Sequence, residues 1–566
     1  MCGIWCRIGC NTDPQDPRPW VKQLEARGPE GTRITNITDK VTFGFTRLAI
    51  NGLTEDGMQP FTRGNISWVC NGEIYNAKAL EKSLGMEGGG SDCECIGKLY
   101  LRHRNDLVAF ARALDGVFAI ALYDDEMKRL VVLRDPFGVR PLFIGMRPNM
   151  TTSYAQINHL PVPFYKGTYD IFVFASELKA LVPYFEHVSA FHPGTIQTYD
   201  VNTMVMTQDL RYHSLGWMLN PLYSDANPAG IIQAKEALRF ALEEAVKKRL
   251  LTERPIACLL SGGLDSSLIA SLLQKNLRNL NLPPLKTFSI GFEGSSDLKH
   301  AQIVANWIGS DHTEIKMTPD EFFDAIPKVI KAIESYDTTT VRASTGNYLV
   351  AKKISELSDC KVVFNGDGSD ELFGGYLYFN NAPSDEAFQS ECERLLNDIH
   401  TFDVLRSDRS ISANGLEART PFLDKQFVSV VRSIHPKYLR PIPGKQMEKY
   451  MLRCAFDDDV TLPPEVLWRR KEAFSEGVST PEKAWFQEIQ DRVRSLVPDD
   501  WMEKSVLSFS RHMLPKTAEE YYYRFLFTAS YGISAIRTTV PYRWMPKWCP
   551  ETNDPSARTL QIYTQP

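Results

Sequence analysis

The sequence lacks the features that would place it in a membrane, on nucleic acid or outside the cell. No stretch of the 566 residues stays apolar over the roughly 20 positions that a membrane-spanning helix needs. The formal net charge is only -5, without a long block of like charges, which argues against a nucleic-acid or membrane surface. The first residues lack the basic and then apolar layout of a secretion signal. We therefore expect a cytoplasmic protein with small-molecule partners, no nucleic acid and no membrane.

Cysteine gives no sign of a disulfide framework. The chain has 11 cysteines, an odd number scattered over a great length, whereas small secreted domains pack paired cysteines densely. We therefore expect reduced thiols. A hydrophobic content of 43% and a charged content of 23% are ordinary for a globular protein, and the length is sufficient for at least two separate cores.

The texture of the sequence changes after about residue 205. Before that point, short β-rich runs alternate with turn clusters; they include Val41 to Ile50, Val117 to Tyr123 and Ile171 to Ala175. Two Asn-Pro pairs are typical of a linker. The predicted organisation is a sheet-dominated domain over residues 1–205, a linker over 206–230, a second domain over 231–545 and a loose tail over 546–566.

The second domain begins with strands and helices in alternation. Apolar residues recur at helical spacing from Ile231 to Leu250, and the short apolar run Pro255 to Leu260 leads into another helical stretch. Two further pairs follow: Thr287 to Gly291 before His300 to Ile308, and Val362 to Phe364 before Asp370. This alternation predicts a parallel sheet covered by helices, with ligands beyond the carboxyl ends of the strands.

Cys2 follows the initiator methionine directly. Removal of Met1 would leave one residue with both a thiol and a free α-amine, and a thiol nucleophile needs such a base. The two groups have reference pKa values near ~8.5 and ~8, so modest shifts would give a thiolate at neutral pH. The alternative is an ordinary buried cysteine on a first strand.

The segments that accompany Cys2 favour the functional interpretation. They are Arg27-Gly28-Pro29, Arg47-Leu48-Ala49-Ile50, Asn71-Gly72-Glu73, Ser91-Asp92, Leu114 to Ala119, Arg134-Asp135, Gly138 to Leu142 and Ala175-Ser176-Glu177. With the start Cys-Gly-Ile, they resemble the glutaminase domain of class II amidotransferases, which are amino-terminal nucleophile hydrolases. Taken alone, Asn71-Gly72 is also a good hairpin turn, and Arg47 could be a surface charge.

The resemblance implies an αββα sandwich in which Cys2 hydrolyses the side-chain amide of glutamine. Asn71 and Gly72 would donate hydrogen bonds to the tetrahedral oxyanion. Arg47 would hold the α-carboxylate of glutamine, and Glu73 and Asp92 would bind its α-ammonium. The complete glutamine-binding set is Arg47, Leu48, Ala49, Ile50, Asn71, Gly72, Glu73 and Asp92.

Ser261-Gly262-Gly263-Leu264-Asp265-Ser266-Ser267 lies between a predicted strand and a predicted helix. Glycines there let a phosphate approach the backbone, and the N–H groups of a helix start bind anions. No lysine follows the glycines, so this is not a Walker loop. The heptapeptide resembles the pyrophosphate loop of the ATP pyrophosphatase superfamily, which implies a parallel-sheet α/β domain with a helical carboxyl-terminal part.

That resemblance implies ATP and Mg²⁺ as the bound cofactors. The predicted ATP-binding residues are Leu260, Ser261, Gly262, Gly263, Asp265, Ser266, Ile290, Gly291, Asn365 and Gly366. Asp265 and Asp370 would carry Mg²⁺, because it prefers hard carboxylate oxygens. Asp297 also matches the superfamily, although a helix cap is an alternative role for it.

Four more segments narrow the resemblance to asparagine synthetases: Glu334 to Asp337, Arg342 to Thr345, Asn365 to Tyr376 and Leu416 to Asp424. Lys449 and the segment Lys471 to Val478 extend it to about residue 480. In this series Lys449 would stabilise charge at the α-phosphate. Asp367 replaces a glutamate thought to act near the attacking ammonia, so its carboxylate is one methylene shorter. Residues after about 480 suggest no chemistry.

The function implied is that of a carbon–nitrogen ligase with glutamine as amido donor. Glutamine is hydrolysed at Cys2, ammonia passes through an apolar channel, and the β-carboxylate of aspartate is adenylated to β-aspartyl-AMP, giving asparagine, AMP and pyrophosphate. One alternative is a β-lactam synthetase-like or other adenylating amidotransferase. Another is a regulatory protein with a weakened synthetase site, toward which only Asn365 and Asp367 point. The resemblance also suggests a homodimer.

Overall fold

The computed structural model describes the chain except for residues 10–15, 88–89, 149–168, 183, 186, 217–220, 224–227, 481, 510, 551 and 565–566. The chain forms two compact units. The first contains Met1–Ser214 and Tyr531–Thr539, and the second contains Leu215–Ser530 and Val540–Pro566. Over the described residues, each helix is either too short or too polar to span a lipid bilayer.

The first unit consists mainly of antiparallel strands. These are β1 (Gly3–Gly9), β2 (Gly31–Asn36), β3 (Val41–Arg47), β4 (Phe61–Arg63), β5 (Ile66–Ile74), β6 (Gly116–Asp124), β7 (Arg129–Arg134), β8 (Phe143–Pro148), β9 (Tyr169–Ala175), β10 (His187–Ala190), β11 (Thr195–Asp200) and β12 (Val205–Arg211). The helices between these strands are α1 (Arg18–Lys22), α2 (Ala77–Ser83), α3 (Cys95–Arg102) and α4 (Leu107–Ala113).

These strands form two sheets, with the orders β10-β8-β9-β1-β3-β2 and β12-β11-β7-β6-β5-β4. Alternate residues of a strand point to opposite faces, so each sheet serves two cores. On β5, Val69 packs between the sheets, whereas Trp68 and Cys70 pack against α3 and α4. Helix α1 contacts the outer face of the first sheet. The layers are therefore helix, sheet, sheet and helix, as expected for the αββα sandwich.

The second unit contains a smaller sheet and many helices. Its elements are α5 (Pro228–Lys248), β13 (Ile256–Leu259), α6 (Leu264–Asn279), β14 (Lys286–Gly291), α7 (Ser296–Ile308), β15 (Asp311–Lys316), α8 (Pro319–Ile333), α9 (Thr338–Leu357), β16 (Val362–Phe364), α10 (Ser369–Phe373), α11 (Asp385–Asp398), α12 (Asp403–Ser412), β17 (Glu417–Arg419), α13 (Lys425–Arg432), α14 (Tyr450–Ala455), α15 (Pro464–Leu467), α16 (Phe474–Gly477), α17 (Trp485–Val493), α18 (Trp501–Ser508) and α19 (Ala518–Tyr531). A last helix, α20 (Ile536–Thr539), belongs to the first unit.

The sheet of the second unit is parallel throughout, in the order β15-β14-β13-β16-β17. The chain moves outward from β13 to β15 and then returns to place β16 on the other side of β13. The strand order therefore reverses between β13 and β16, and ligands of such sheets bind beyond the carboxyl ends of the strands at this switch point. The fold class predicted from the sequence is confirmed.

The segment predicted as a linker is only partly irregular. Residues 206–211 belong to β12, which pairs with β11, and α5 already begins at Pro228. Residues 217–220 and 224–227 of the predicted linker lie outside the described residues.

The carboxyl-terminal tail is not loose where the structure describes it. Asp554 is ion-paired with Arg342, the Ser556 hydroxyl donates to Glu476, and the Arg558 guanidinium donates to the Thr480 carbonyl. The prediction of a loose tail is wrong because it took account only of composition and could not include partners 78 to 212 positions earlier in the chain.

Candidate active sites

Cys2 precedes β1 directly and is half-buried. Its Sγ lies 3.5 Å from the Leu48 carbonyl oxygen, to which it donates. The guanidinium of Arg27 donates through Nε to the Cys2 carbonyl oxygen at 3.0 Å and through Nη1 to Glu177 Oε1 at 2.9 Å. Because Arg27 and Glu177 are both buried, their ion pair holds the backbone at Cys2 in place.

Asn71 and Gly72 lie inside β5, paired with Ala119 and Phe118 of β6, and not in a hairpin turn. The Asn71 side chain is fully buried, and neither its nitrogen nor its oxygen has a hydrogen-bond partner among the described residues. A Cβ at Gly72 would lie 2.2 Å from the Val117 carbonyl oxygen, so only glycine fits this position. A buried, unpartnered amide is costly unless a ligand completes its hydrogen bonds. The strand therefore presents a preorganised amide that is suited to an oxyanion.

We expect Asn71→Ala to lower kcat for glutamine hydrolysis by roughly 100-fold to 1000-fold, because a single oxyanion donor typically contributes that much. Thermal stability should change little, since the lost amide makes no hydrogen bond to the described protein. The measurements are glutamate release and Tm.

Asn76→Ala is the matched control. The Asn76 amide donates to the Ala113 carbonyl at 2.9 Å and accepts from the Asp115 N–H at 3.0 Å. This variant should lose stability and keep kcat. If Asn71→Ala lost stability but not kcat, the oxyanion role would be contradicted.

The other predicted glutamine-binding residues surround the loop after β3. The Arg47 guanidinium is buried and donates to the carbonyls of Thr54, at 2.8 Å, and of Gly52. The structure brings Glu73 to this loop, where it accepts from Asn51 Nδ2 at 2.8 Å. Asp92 accepts from the N–H of Ile74 at 2.6 Å at the end of β5. Leu48, Ala49 and Ile50 are buried beside them.

The glycine-containing loop that was predicted to bind phosphate lies in the second unit, between β13 and α6. Gly262 has a φ of 72°, and a Cβ there would lie 2.4 Å from the backbone nitrogen of Ala301. The Ser266 hydroxyl braces the loop by accepting from the Ser261 N–H at 3.2 Å. Gly263 is the N-cap residue of α6 and has no side chain that could bond the first N–H groups of this helix; its own N–H donates to the Ser261 hydroxyl at 3.5 Å. Such an end binds phosphate.

A cavity of about 190 Å³ opens at the switch point between β13 and β16. Its wall includes the predicted residues Leu260, Ser261, Gly263, Asp265, Ser266, Ile290, Asn365, Gly366, Asp367, Asp370 and Lys449. Gly262 and Gly291 are not on the wall; each makes space for a neighbouring backbone or side chain instead. Asn365 is held by a hydrogen bond of 2.6 Å from its Nδ2 to the Ser407 hydroxyl.

Two lysines join the two carboxylates that were predicted to bind metal. Lys449 Nζ lies 2.6 Å from both Asp265 Oδ2 and Asp370 Oδ1, and Lys471 Nζ lies 2.6 Å from Asp370 Oδ2. Although burial opposes it, the attraction of Lys449 and Lys471 holds the pKa of Asp370 below its ordinary value. The sequence showed Lys471 only as part of a motif; its place in this cluster depends on the fold.

The donor set fits a magnesium ion that retains water and phosphate ligands. Mg²⁺ commonly uses one or two carboxylates together with substrate phosphates, and both carboxylates here reach the same lysine nitrogen. No group of three or more His, Cys, Asp or Glu side chains in the described part of the chain could hold a metal ion by itself.

A second group of polar and ionisable side chains on the cavity wall consists of Asp367, Glu371, Tyr376, Asp403 and Arg406, which we name the acceptor cluster. Arg406 Nη2 donates to Asp367 Oδ1 at 3.0 Å and to Asp403 Oδ1 at 2.9 Å. The Tyr376 hydroxyl donates to Glu371 and, at 3.3 Å, to Asp403. Burial, followed by repulsion from Asp403 and Asp370, raises the pKa of Glu371 well above its ordinary value.

Asp297 lies on the cavity wall, buried, with Oδ1 3.2 Å from Arg469 Nη2. It stands in the first turn of α7, where Ser295 is the cap residue. Burial outweighs the attraction of Arg469 and raises the pKa of Asp297 to about 7. The folded state therefore binds the Asp297 proton more tightly than the unfolded state does. The contribution of this proton to the stability of the fold is lost as pH rises from the unfolded-state pKa through 7.

We expect the ionisation of Asp297 to lower the free energy of unfolding by on the order of 4 kcal/mol as pH rises from 4 to 8, since one pKa unit corresponds to about 1.4 kcal/mol. Asp297→Asn should flatten the pH dependence, whereas the exposed Asp311→Asn should not. Urea unfolding at a series of pH values measures both. Equal slopes in all three proteins would contradict the assignment.

Comparison with known proteins assigns each unit. The family model "Glutamine amidotransferase domain" matches residues 1–233, and the model "Asparagine synthase" matches residues 237–387 and 380–532. The glutamine-hydrolysing asparagine synthetase of Gallus gallus is 40% identical over 580 residues, covering 100% of this chain and 99% of the relative. That of Homo sapiens is 40% identical over 585 residues with the same coverage.

Among solved structures, the chain is similar to a glutamine phosphoribosylpyrophosphate amidotransferase from B. subtilis complexed with ADP and GMP. The sequence identity is 19% and the TM-score is 0.28, with 50% of this chain and 65% of that chain covered.

Proposed function

The chain belongs to the family of glutamine-hydrolysing asparagine synthetases, and from this premise we propose that it makes asparagine from aspartate, glutamine and ATP. Membership confirms the resemblance found in the motifs. The observation that carries the proposal is that each unit has its own set of groups: a half-buried thiol and a buried, unpartnered amide in the first, and a loop, two carboxylates and two lysines around one cavity in the second.

In the first unit, the Cys2 thiolate would attack the side-chain amide of glutamine, with the α-amine freed by removal of Met1 as base. The Asn71 amide and the Gly72 N–H would donate to the oxyanion. The buried guanidinium of Arg47, braced by two loop carbonyls, would bind the α-carboxylate. Water would then release glutamate, and ammonia would be the product used by the second unit.

In the second unit, the loop from Ser261 to Ser266 would bind the phosphates of ATP at the open end of α6. The β-carboxylate of aspartate would attack the α-phosphate, giving β-aspartyl-AMP and pyrophosphate. Lys449 and Lys471 would stabilise the negative charge that develops there, because both ammonium groups are already oriented by Asp265 and Asp370. We propose that these two carboxylates also hold Mg²⁺, which would neutralise phosphate charge.

Ammonia would attack β-aspartyl-AMP next to Asp367. One oxygen of this carboxylate accepts from Arg406, whereas the other is buried without a hydrogen-bond partner in the described structure. The free oxygen can accept a proton from the attacking nitrogen, while Arg406 keeps the shorter side chain oriented. This support for the carboxylate argues against a regulatory protein with a decayed synthetase site.

We expect Asp367→Asn to lower asparagine formation by roughly 100-fold or more, because general-base catalysis typically contributes that factor. Asp367→Glu keeps the proton acceptor and should therefore retain more activity than Asp367→Asn, although a misplacement near 1 Å can itself cost about 100-fold. Asparagine formation from aspartate, MgATP and ammonia measures both. Full activity of Asp367→Asn would exclude a proton-transfer role.

The test of the proposed function is to incubate the purified, Met1-processed protein with glutamine, aspartate and MgATP. Glutamate, asparagine, AMP and pyrophosphate should accumulate together. Glutamate without asparagine or pyrophosphate would contradict the synthetase assignment and leave the glutaminase intact. Pyrophosphate without asparagine would favour another adenylating amidotransferase.

Three finer points stay predictions. A cytoplasmic location agrees with the free thiols of all ten cysteines that the structure describes. We also expect a homodimer, for which light scattering would give twice the mass of one chain. Channelling of ammonia would be detected if an external ammonia trap failed to reduce the yield of asparagine from glutamine.

A further inference from the structure

The carboxyl-terminal segment, residues 540–550 and 552–564, forms a strap along the second unit. Near its start, the Tyr542 hydroxyl donates to Asp398 Oδ2 at 2.6 Å. Further along, the Ser556 hydroxyl donates to Glu476 Oε1 at 2.5 Å, and Arg558 Nη1 donates to the Thr480 carbonyl at 3.1 Å. The strap is therefore attached at both ends to elements that neighbour the cavity.

Asp554 provides the strongest attachment of the strap. The buried guanidinium of Arg342 is shared by two carboxylates: it donates to Glu519 at 2.8 and 2.6 Å and to Asp554 at 2.7 and 2.8 Å. Gln490 Nε2 adds a hydrogen bond to Asp554 at 2.9 Å. Loss of one partner of a largely buried ion pair leaves the other charge uncompensated and is strongly destabilising, so this contact defines the course of the strap.

Between these attachments, Trp544 is buried and lies on the cavity wall. Its ring centroid is 5.8 Å from that of Tyr376 and 6.1 Å from that of Tyr378, both in edge-on geometry. Its backbone N–H lies near the buried carboxylate of Asp337 and favours the charged form of that group. Trp544 is thus held by ring packing on one side and by its backbone on the other.

Trp544 contacts the acceptor cluster through Tyr376, a member of the cluster whose hydroxyl donates to Glu371 and Asp403. The cluster has one cation, Arg406, and several carboxyl groups, which suits an α-amino acid with a carboxylate and an ammonium group. Trp544 adds a rigid apolar surface to this charged wall. Charged groups would fix both ends of an amino acid, and an apolar wall would limit its length.

We propose that Trp544 is a specificity-determining residue that limits the length of the acceptor amino acid at the adenylation site. The inference rests on the proposed function, because it takes an amino-acid carboxylate as the acceptor. It gives the strap a role: the strap supplies one wall of the synthetase site. A pocket distinguishes compounds that differ by one methylene by roughly 10-fold to 200-fold. Aspartate and glutamate differ by one methylene.

The test compares wild type, Trp544→Ala, Trp544→Phe and Trp548→Ala. Trp548 is the matched control because it lies on the same strap and contacts Tyr378 and Phe379, but is not on the cavity wall. The assay is pyrophosphate release at saturating MgATP and ammonia, with aspartate or glutamate as acceptor. Glutamate release from glutamine is measured in parallel.

For Trp544→Ala, we expect the ratio of kcat/KM for glutamate to that for aspartate to rise at least tenfold. The KM for aspartate should increase while the KM for ATP stays within about twofold, and glutamine hydrolysis should be unchanged. Trp544→Phe should show a smaller shift in the same direction, and Trp548→Ala should show none. If Trp544→Ala does not fold, the shift in Trp544→Phe decides.

An unchanged ratio in Trp544→Phe and Trp544→Ala would overturn the proposal. An equal shift in Trp548→Ala would also overturn it, because general loosening of the strap would then be the cause. A different result would contradict the proposed function itself: the wild-type protein would then release no pyrophosphate with aspartate, whatever the variants do.

Discussion

Replacing Cys2 by alanine is expected to abolish glutamine hydrolysis while ammonia-dependent asparagine synthesis continues. The thiol is the only nucleophile assigned to the first site, and loss of a catalytic nucleophile typically costs a factor of about a million in kcat. The second site depends on residues from Leu260 onward, so ammonia added directly should replace glutamine.

The measurements are glutamate release from glutamine and asparagine formation from aspartate, MgATP and ammonium chloride. Cys6→Ala is the matched control: Cys6 lies on β1, is fully buried, and its thiol lies in the core between the sheets. That variant should lose some stability and keep hydrolysis. Residual hydrolysis by Cys2→Ala at a tenth of the native rate would contradict the assigned nucleophile, and loss of ammonia-dependent synthesis would contradict the independence of the two sites.

Replacing Lys449 by methionine should have the largest effect on the second site. Its ammonium is almost fully buried and lies 2.6 Å from both Asp265 and Asp370. Methionine keeps the length of the side chain but leaves two half-buried carboxylates with Lys471 as the remaining cation. Loss of charge stabilisation in such a water-poor site costs roughly 100-fold to 1000-fold.

We therefore expect pyrophosphate release with aspartate and ATP to fall by at least about 100-fold, with glutamine hydrolysis unchanged. Lys445→Met is the matched control, because Lys445 lies four positions away and is exposed. Addition of Mg²⁺ should raise the Tm of Lys449→Met more than that of wild type, since the metal would replace the lost positive charge. A variant that kept native pyrophosphate release would show that Lys449 has only a structural role.

Much of the fold could be predicted because the relevant information is local. The strand-to-helix alternation from residue 255 onward predicted the parallel sheet, and hydrophobic periodicity predicted α5 within a few residues. The elements that were predicted least well have the polar composition of a loop but a regular structure. Strand β12 is mostly exposed and contains the polar run Thr207-Gln208-Asp209, which resembles a linker until its pairing with β11 is known.

Both sites could also be located in part. Asn71-Gly72 and the Ser261-to-Ser267 loop are contiguous motifs whose residue types suit an oxyanion and a phosphate. Sequence alone could not decide between a hairpin turn and a strand for Asn71-Gly72, because both conformations accept these residues. The structure decides for a strand, because β5 pairs with β6 on both sides of Asn71-Gly72. A chain that reversed its direction there could not continue this pairing.

By itself, the sequence determined which motifs are candidates for the chemistry: a thiol at position 2, a glycine-rich loop and acidic motifs, each defined by neighbours a few positions apart. The tertiary structure alone decided how they are supported. Lys471 reaches Asp370 across 101 positions, and Arg342 reaches Asp554 across 212. The physical reason is that ion pairs and ring contacts depend on distance in space, which only the packed sheets and helices establish.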